Sequence, residues 1–117
     1  MNIETIKNLL DAEVLCGGEH LDTTVHSACG SDMMSDVLAF VKDQAVLLTG
    51  LVNSQVIRTA VMMDMRCVVF VRAKRPTLEM IEFAEESGIV LLSSDMRMYE
   101  ACGTLYTNGL GVTQKHE

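Results

Sequence analysis

Tryptophan is absent from this sequence, which has only two tyrosines and three phenylalanines. Aliphatic side chains and nine methionines must therefore fill the interior, and methionine is suited to irregular or adaptable contacts. Positive charge is also scarce: nine Lys and Arg stand against sixteen Asp and Glu, for a net charge of −7. A nucleic-acid binder would show a basic stripe with aromatic or polar readers, and a membrane-anchored chain a Lys/Arg cluster at one end. Neither is present, so no nucleic acid and no membrane is expected as a partner. The longest uninterrupted apolar runs, such as Cys67 to Val71, reach five residues, far short of the roughly twenty that span a bilayer. Met1-Asn2-Ile3-Glu4 has no basic region leading into an apolar stretch, so no secretory signal is expected. Cysteines 16, 29, 67 and 102 form no CxxC pair and read as reduced, mostly buried thiols of a cytoplasmic protein.

What remains is the profile of one folded domain. The chain has 117 residues, 49% of them hydrophobic and 21% charged, enough for a single core. Its mean hydropathy of +0.25 is high for so small a chain. Surplus apolar surface of this kind ends up in subunit interfaces, and a homodimer is expected.

Periodicity gives the elements. Ile3, Ile6, Leu9 and Leu10 fall at helical spacing behind Asn2 as cap. Glu13 to Cys16 and Thr23 to Ala28 read as two short strands, a hairpin or two edge strands, separated by Gly17-Gly18. Ser31 and Asp32 are cap residues before a stripe of Met33, Met34, Val37, Leu38 and Val41. Three strand–helix units follow. Ala45 to Thr49 leads into a helix capped by Asn53 or Ser54 with Val56, Ile57, Ala60 and Val61 inward. Cys67 to Val71 leads through Pro76-Thr77 into a helix with Leu78, Ile81 and Ala84 inward. Ile89 to Leu92 leads through Ser93-Ser94-Asp95 into a helix lined by Met98, Tyr99, Cys102, Leu105 and Tyr106. Apolar strands without alternation are covered on both faces. The fold expected is α/β: a three-layer α/β/α arrangement, with a mostly parallel sheet of about five strands and a hairpin-like N-terminal addition. Residues 1–110 form the domain and 111–117 a flexible tail.

In such a sheet, ligands sit beyond the carboxyl ends of the strands, where helix N-termini offer free N–H groups. The candidate binding residues there are Thr49, Gly50 and Asn53 in the first loop, Arg72, Lys74, Arg75 and Thr77 in the second, and Ser93 and Ser94 in the third. Arg72, Lys74 and Arg75 reverse the sign of a chain of charge −7, and arginine beside a helix N-terminus suits phosphate or carboxylate. The competing reading is a solvated turn whose cations pair with Glu79 and its neighbours or meet a partner subunit. No Walker A or GxGxxG pattern accompanies the loops. Cys16, His20, His26 and Cys29 are metal-ligand types, but their spacing fits no compact zinc motif, so neither metal nor cofactor is expected. The three histidines lie outside the regular α/β half, and no nucleophile–His–carboxylate set assembles. The chain is expected not to be an enzyme.

Four stretches carry a family resemblance: Ala12 to Gly18, Ser31 to Ala39, Leu47 to Gly50, and Gly88 to Ser93. In them the chain resembles the DRTGG-domain family over roughly residues 1 to 110, and looks like its short stand-alone members. That domain accompanies CBS domains in some proteins, forms the middle of certain phosphate acetyltransferases, and is related to the N-terminal domain of HPr kinase/phosphorylase. The resemblance implies a regulatory or ligand-sensing role for a small anionic, nucleotide or phosphorylated, ligand. Some stand-alone members occur beside iron-hydrogenase genes, which implies a protein–protein interaction module docking a partner enzyme as the alternative. The chain departs from the family in two loops. Where members have Gly-Asp-Arg it reads Gly50-Leu51-Val52, and where they have Thr-Gly-Gly it reads Val71-Arg72-Ala73-Lys74.

Overall fold

The computed structural model describes residues 1–40 and 45–112. Within them the elements are α1 (Ile3–Leu9), β1 (Glu13–Cys16), a 3-10 turn (Gly18–His20), β2 (Ser27–Gly30), α2 (Met34–Phe40), β3 (Ala45–Thr49), α3 (Ser54–Met62), β4 (Cys67–Phe70), α4 (Leu78–Glu86), β5 (Val90–Ser93) and α5 (Met98–Thr107). The expected continuation of the α2 stripe to Val41 lies outside the described residues, as do His116 and most of the expected tail, residues 113–117.

The strands form one mixed sheet in the order β1-β5-β4-β3-β2, with β2 to β5 parallel and β1 antiparallel to β5. Each step from β2 to β5 moves one place in the same direction. Crossovers of one hand that step in one direction return over the same face, so α2, α3 and α4 share a layer. Their buried residues Val37, Val56, Ile57, Ala60, Met80 and Ala84 pack with Leu47, Val68, Phe70 and Leu91. The alternate strand residues Val46, Leu48, Val69 and Leu92 face the other way, onto Ile3 and Ile6 of α1 and Ala101 and Leu105 of α5. The central strands thus feed two cores, which is why they lack polar alternation. The α/β fold, its three layers and its mostly parallel five-stranded sheet are as the sequence implies.

The hairpin-like addition is a correction. β1 and β2 lie at opposite edges of the sheet and do not pair. Gly17 turns the chain away in a left-handed conformation (φ 81°), and a Cβ there would come within 2.9 Å of Val90 Cα. The following segment pairs with the N-terminus instead: Ile3 N–H donates to Thr23 C=O at 3.0 Å and Val25 N–H to Met1 C=O at 2.8 Å. The second strand accordingly begins later than Thr23, at Ser27.

Helix caps explain most of the helix starts. Asn2, Asn53 and Thr77 accept from the N–H groups of Thr5, Gln55 and Met80, as their positions suggest. The last helix differs. It begins behind Arg97 without a side-chain cap, two residues beyond the Ser93-Ser94-Asp95 run. Of the side chains expected inward, Met33, Leu38, Val61, Leu78, Tyr99 and Tyr106 are exposed; Met33 precedes α2, and the others fall to the outer side of the stripe their helices bury. Among the described residues no helix is long and apolar enough to cross a membrane.

Leu47 and Leu48 are both fully buried, one in each core. Truncating either to Ala removes the same apolar volume from a different layer. Each is expected to cost about 2–5 kcal/mol in urea unfolding, showing that both layers contribute to one cooperative unit.

Candidate functional site at the carboxyl ends of the strands

The loops after β2, β3, β4 and β5 all emerge at one end of the sheet, and hydrogen bonds join them. Asp32, in the loop after β2, reaches the end of β3. One carboxylate oxygen accepts from Gly50 N–H at 2.7 Å and from the Thr49 hydroxyl at 3.0 Å. The Thr49 oxygen accepts in turn from Leu51 N–H at 3.1 Å. The sequence suggests Asp32 as a helix cap; its observed work is to hold the β3–α3 loop. Its place in Ser31 to Ala39, one of the four stretches that carry the family resemblance, was the available signal.

The helix after β4 lies on one face of the sheet and the helix after β5 on the other. Loops that part in this way open a crevice between their strands, the usual ligand position in open α/β sheets. Here the crevice is bridged by main chain. Arg72 N–H donates to Met96 C=O at 2.7 Å, Ala73 N–H donates to Ser94 C=O at 2.8 Å, and the Ser93 hydroxyl donates to Lys74 C=O at 3.0 Å. Arg72 and Ala73 both have φ of 58°, a left-handed conformation that L-residues with a Cβ adopt at a cost of about 1–2 kcal/mol each. They fall within Val71 to Lys74, where the family resemblance implies Thr-Gly-Gly. The backbone shape that glycine favours is present, held by hydrogen bonds to the neighbouring loop.

The nine predicted residues divide by what their side chains do. Asn53 and Thr77 cap α3 and α4. The Ser94 hydroxyl is buried and donates to Leu10 C=O at 2.7 Å, tying the last loop to the end of α1. Thr49 and Ser93 are bound to Asp32 and to Lys74 main chain, as above. Arg75 is turned to the sheet edge, where both its terminal nitrogens meet the Glu13 carboxylate, at 2.9 and 3.3 Å. That hydrogen-bonded pairing, reinforced by charge attraction, lowers the Glu13 carboxyl below its ordinary range. Of the alternatives for the basic turn, Arg75 follows the pairing one, with Glu13 in place of Glu79.

Gly50, Arg72 and Lys74 remain. The Arg72 guanidinium lies over the Gly50 main chain, in the space a Cβ would take. Among the described residues, neither Arg72 nor Lys74 has an ion-pair partner. What the loops present is a cation placed across the start of the β3–α3 connection. Clefts of about 480, 750 and 690 Å³ lie elsewhere and include none of the nine residues.

The Cys/His set does not converge. Cys16 is buried and donates to Ile89 C=O at 3.5 Å, whereas His20 and His26 line an open cleft of about 480 Å³ with Arg66. No group of three metal-ligating side chains is found among the described residues. Burial raises all four thiols above the ordinary range, Cys67 furthest, which makes them poor nucleophiles.

A family model for the DRTGG domain matches residues 5–106. Among solved structures, the fold is similar to the CBS and DRTGG domains of the regulatory region of Clostridium perfringens pyrophosphatase, complexed with the activator diadenosine tetraphosphate. The TM-score is 0.73, at 14% identity over 89% of this chain. The chain spans 45% of that structure's length, slightly under half. At this identity the likeness establishes the fold. No curated protein sequence matches the chain.

Two outcomes are expected from this geometry. Ala73→Gly relieves a left-handed Cβ at the cost of extra unfolded-state freedom; the net effect should be stabilisation by about 1 kcal/mol in urea unfolding. Arg75→Gln removes the partner that depresses the Glu13 carboxyl, so NMR titration should find Glu13 moved up toward an ordinary carboxylate. A depressed carboxyl adds stability above its unfolded pKa and loses it as pH falls through the folded one. The wild-type advantage over Arg75→Gln should therefore vanish in acid.

Proposed function

This chain belongs to the DRTGG-domain family, and on that premise we propose that it is a non-catalytic regulatory domain of the cytoplasm that senses a small anionic ligand, a nucleotide or a phosphorylated metabolite. The observation that carries this reading is Arg72. A guanidinium with no carboxylate partner among the described residues is fixed across Gly50 by a backbone that is unfavourable on its own. Strain retained at one position of a loop is a reason to look for function there. Arginine supplies planar, two-point donation to phosphate oxygens, and the remaining first-turn N–H groups of α3 add a favourable dipole. Lys74, exposed on the same loop, supplies a second charge. The similar pyrophosphatase region is regulatory and was crystallised with a nucleotide activator, which supports the class of role and of ligand.

The bridged β4–β5 crevice shifts the proposed contact toward the β3–β4 side, onto Gly50, Arg72 and Lys74. Thr49, Asn53, Thr77, Ser93 and Ser94 shape the loops and serve as framework. We leave Arg75 outside the proposed contact set, because it pairs with Glu13.

Thermal unfolding against a panel of nucleotides and phosphorylated metabolites tests the reading. A ligand at one hundred times its Kd stabilises the chain by about 2.7 kcal/mol, a clear rise in Tm. Arg72→Ala should abolish that rise, and Arg75→Ala should leave it intact. A panel in which no anion raises Tm would refute the reading, as would a full response in Arg72→Ala.

A further inference from the structure

A polar cleft of about 480 Å³ lies at the other end of the sheet from Arg72, where β4 and β5 begin. Separate segments wall it. His20 ends the 3-10 turn, Thr23, Thr24 and His26 follow it, Arg66 precedes β4, and Gly88 lies in the turn before β5. Arg66 and Arg72 flank the same strand, roughly 20 Å apart at about 3.3 Å per residue. The cleft is therefore separate from the contact proposed above.

Main-chain bonds hold each of these segments. Thr23 N–H donates to His20 C=O at 3.0 Å, closing the turn that carries both. The bonds from Ile3 N–H to Thr23 C=O and from Val25 N–H to Met1 C=O anchor the strip between the two histidines. Val90 N–H donates to Arg66 C=O at 2.8 Å, which joins the arginine's turn to the start of β5. Groups held in place before a ligand arrives lose little freedom on binding it.

The lining side chains offer hydrogen-bond donors and no carboxylate. Among the described residues, the side chains of Thr23, Thr24 and His26 make no hydrogen bond or ion pair. His20 and Arg66 each have one acidic neighbour, Glu19 and Asp64, both at 3.6 Å, beyond hydrogen-bond range. Both pairs are exposed, and exposed pairs of this kind are weak. Neither carboxylate lines the cleft, so both cationic groups remain available to a better acceptor.

These donors select the charge of the occupant. A metal cation would find two imidazoles, no carboxylate or thiol among the lining residues, and a guanidinium beside it, whereas protein metal sites supply three or four ligands. An oxyanion suits the set. The guanidinium gives two parallel N–H bonds to phosphate oxygens, and imidazole N–H and threonine O–H groups can serve the remaining oxygens. In a chain of net charge −7, a lining free of acidic residues also spares an anion close repulsion. We propose that this cleft is a second, weak anion site for a phosphate group, either the inorganic ion or a small phosphate monoester. Arg66 is its principal contact, and His20, His26 and the two threonines complete it.

NMR titration of the full chain with inorganic phosphate tests the site, with sodium chloride at matched ionic strength as the control. Phosphate is expected to move the amides of His20 to His26, Arg66 and Gly88 along one saturable curve with a Kd of about 1 mM. Binding so weak leaves the thermal response to a micromolar ligand at Arg72 unaffected. Arg66→Gln should raise the phosphate Kd about tenfold, the loss of a charge-assisted contact, and His20→Gln with His26→Gln should also raise it. Arg72→Ala should leave it unchanged, so this site and the one at Gly50 and Arg72 can fail independently. Glycerol 3-phosphate in a second titration separates the sources: tighter binding assigns the cleft to a monoester, weaker binding to the free ion. Shifts that do not saturate, or that chloride reproduces, overturn the proposal. So does a response that EDTA abolishes, which would make a metal the bound species, or one that Arg66→Gln retains at full strength. Should Arg66→Gln fail to fold, the histidine pair and the map of shifted amides on the unsubstituted chain decide.

Discussion

Two N–H groups, those of Arg72 and Ala73, hold together the end of the molecule where function is expected. Their bonds to Met96 and Ser94 run between loops whose helices lie on opposite faces of the sheet. Without them the β4–β5 crevice would open to water and two residues in a disfavoured backbone region would have nothing to keep them there. Each bond is worth about 1 kcal/mol net, similar to the cost of the conformation it holds. The loop is therefore close to balance, which makes it a reasonable place for a ligand to act. A ligand that reinforces Arg72 in its present position stabilises the bridged state; one that draws it away favours the open state.

The composition that looks poor in aromatics becomes intelligible once the sheet is in place. With three α/β crossovers stepping in one direction, one face must take α2, α3 and α4, leaving the other to α1 and α5. Each layer over a four- or five-residue strand is thin, and Val, Leu and Ile fill it without needing large rings. Among the described residues, Phe70 is the one aromatic ring in the set of largest fully buried side chains. The two tyrosines are on the surface, at a groove of about 690 Å³ between β2 and α5.

Much of this was legible in the sequence. Strand runs such as Cys67 to Val71 and caps such as Asn53 and Thr77 are local signals, and they identified the parallel half of the sheet and the end where the loops gather. The N-terminal strands were not legible in the same way. Whether Glu13 to Cys16 pairs with the next strand or with β5 depends on contacts about eighty residues apart along the chain, such as Glu13 with Ser93, and no local pattern encodes that. The left-handed turn at Arg72-Ala73 was hidden for a different reason. Glycine is the usual mark of such a conformation, and here it is absent, so the turn is visible only through its tertiary hydrogen bonds. Arg75 looked equivalent to Arg72 in a run of basic residues; its separation from the site depends on Glu13, at the far end of another connection.

The bridging bonds also relate the proposed ligand contact to the groove beside α5. Met96, which accepts from Arg72 N–H, lies two residues before the first residue of α5. Tyr99 is on the first turn of that helix, and Cys102 and Tyr106 follow along the same groove. Movement of the Arg72 main chain must either break the bond to Met96 or carry the start of α5 with it. Gly30, which α5 presses against, is separated from Asp32 by one residue, and Asp32 holds the Gly50 loop beneath the Arg72 guanidinium. Both sides of the groove are thus covalently continuous with residues that position the cation. Coupling between two sites requires an element with two arrangements that both sites bias. The β5–α5 connection meets the geometric part of that requirement, because it is bonded to the cation's backbone at one end and leads into the exposed Tyr99 at the other.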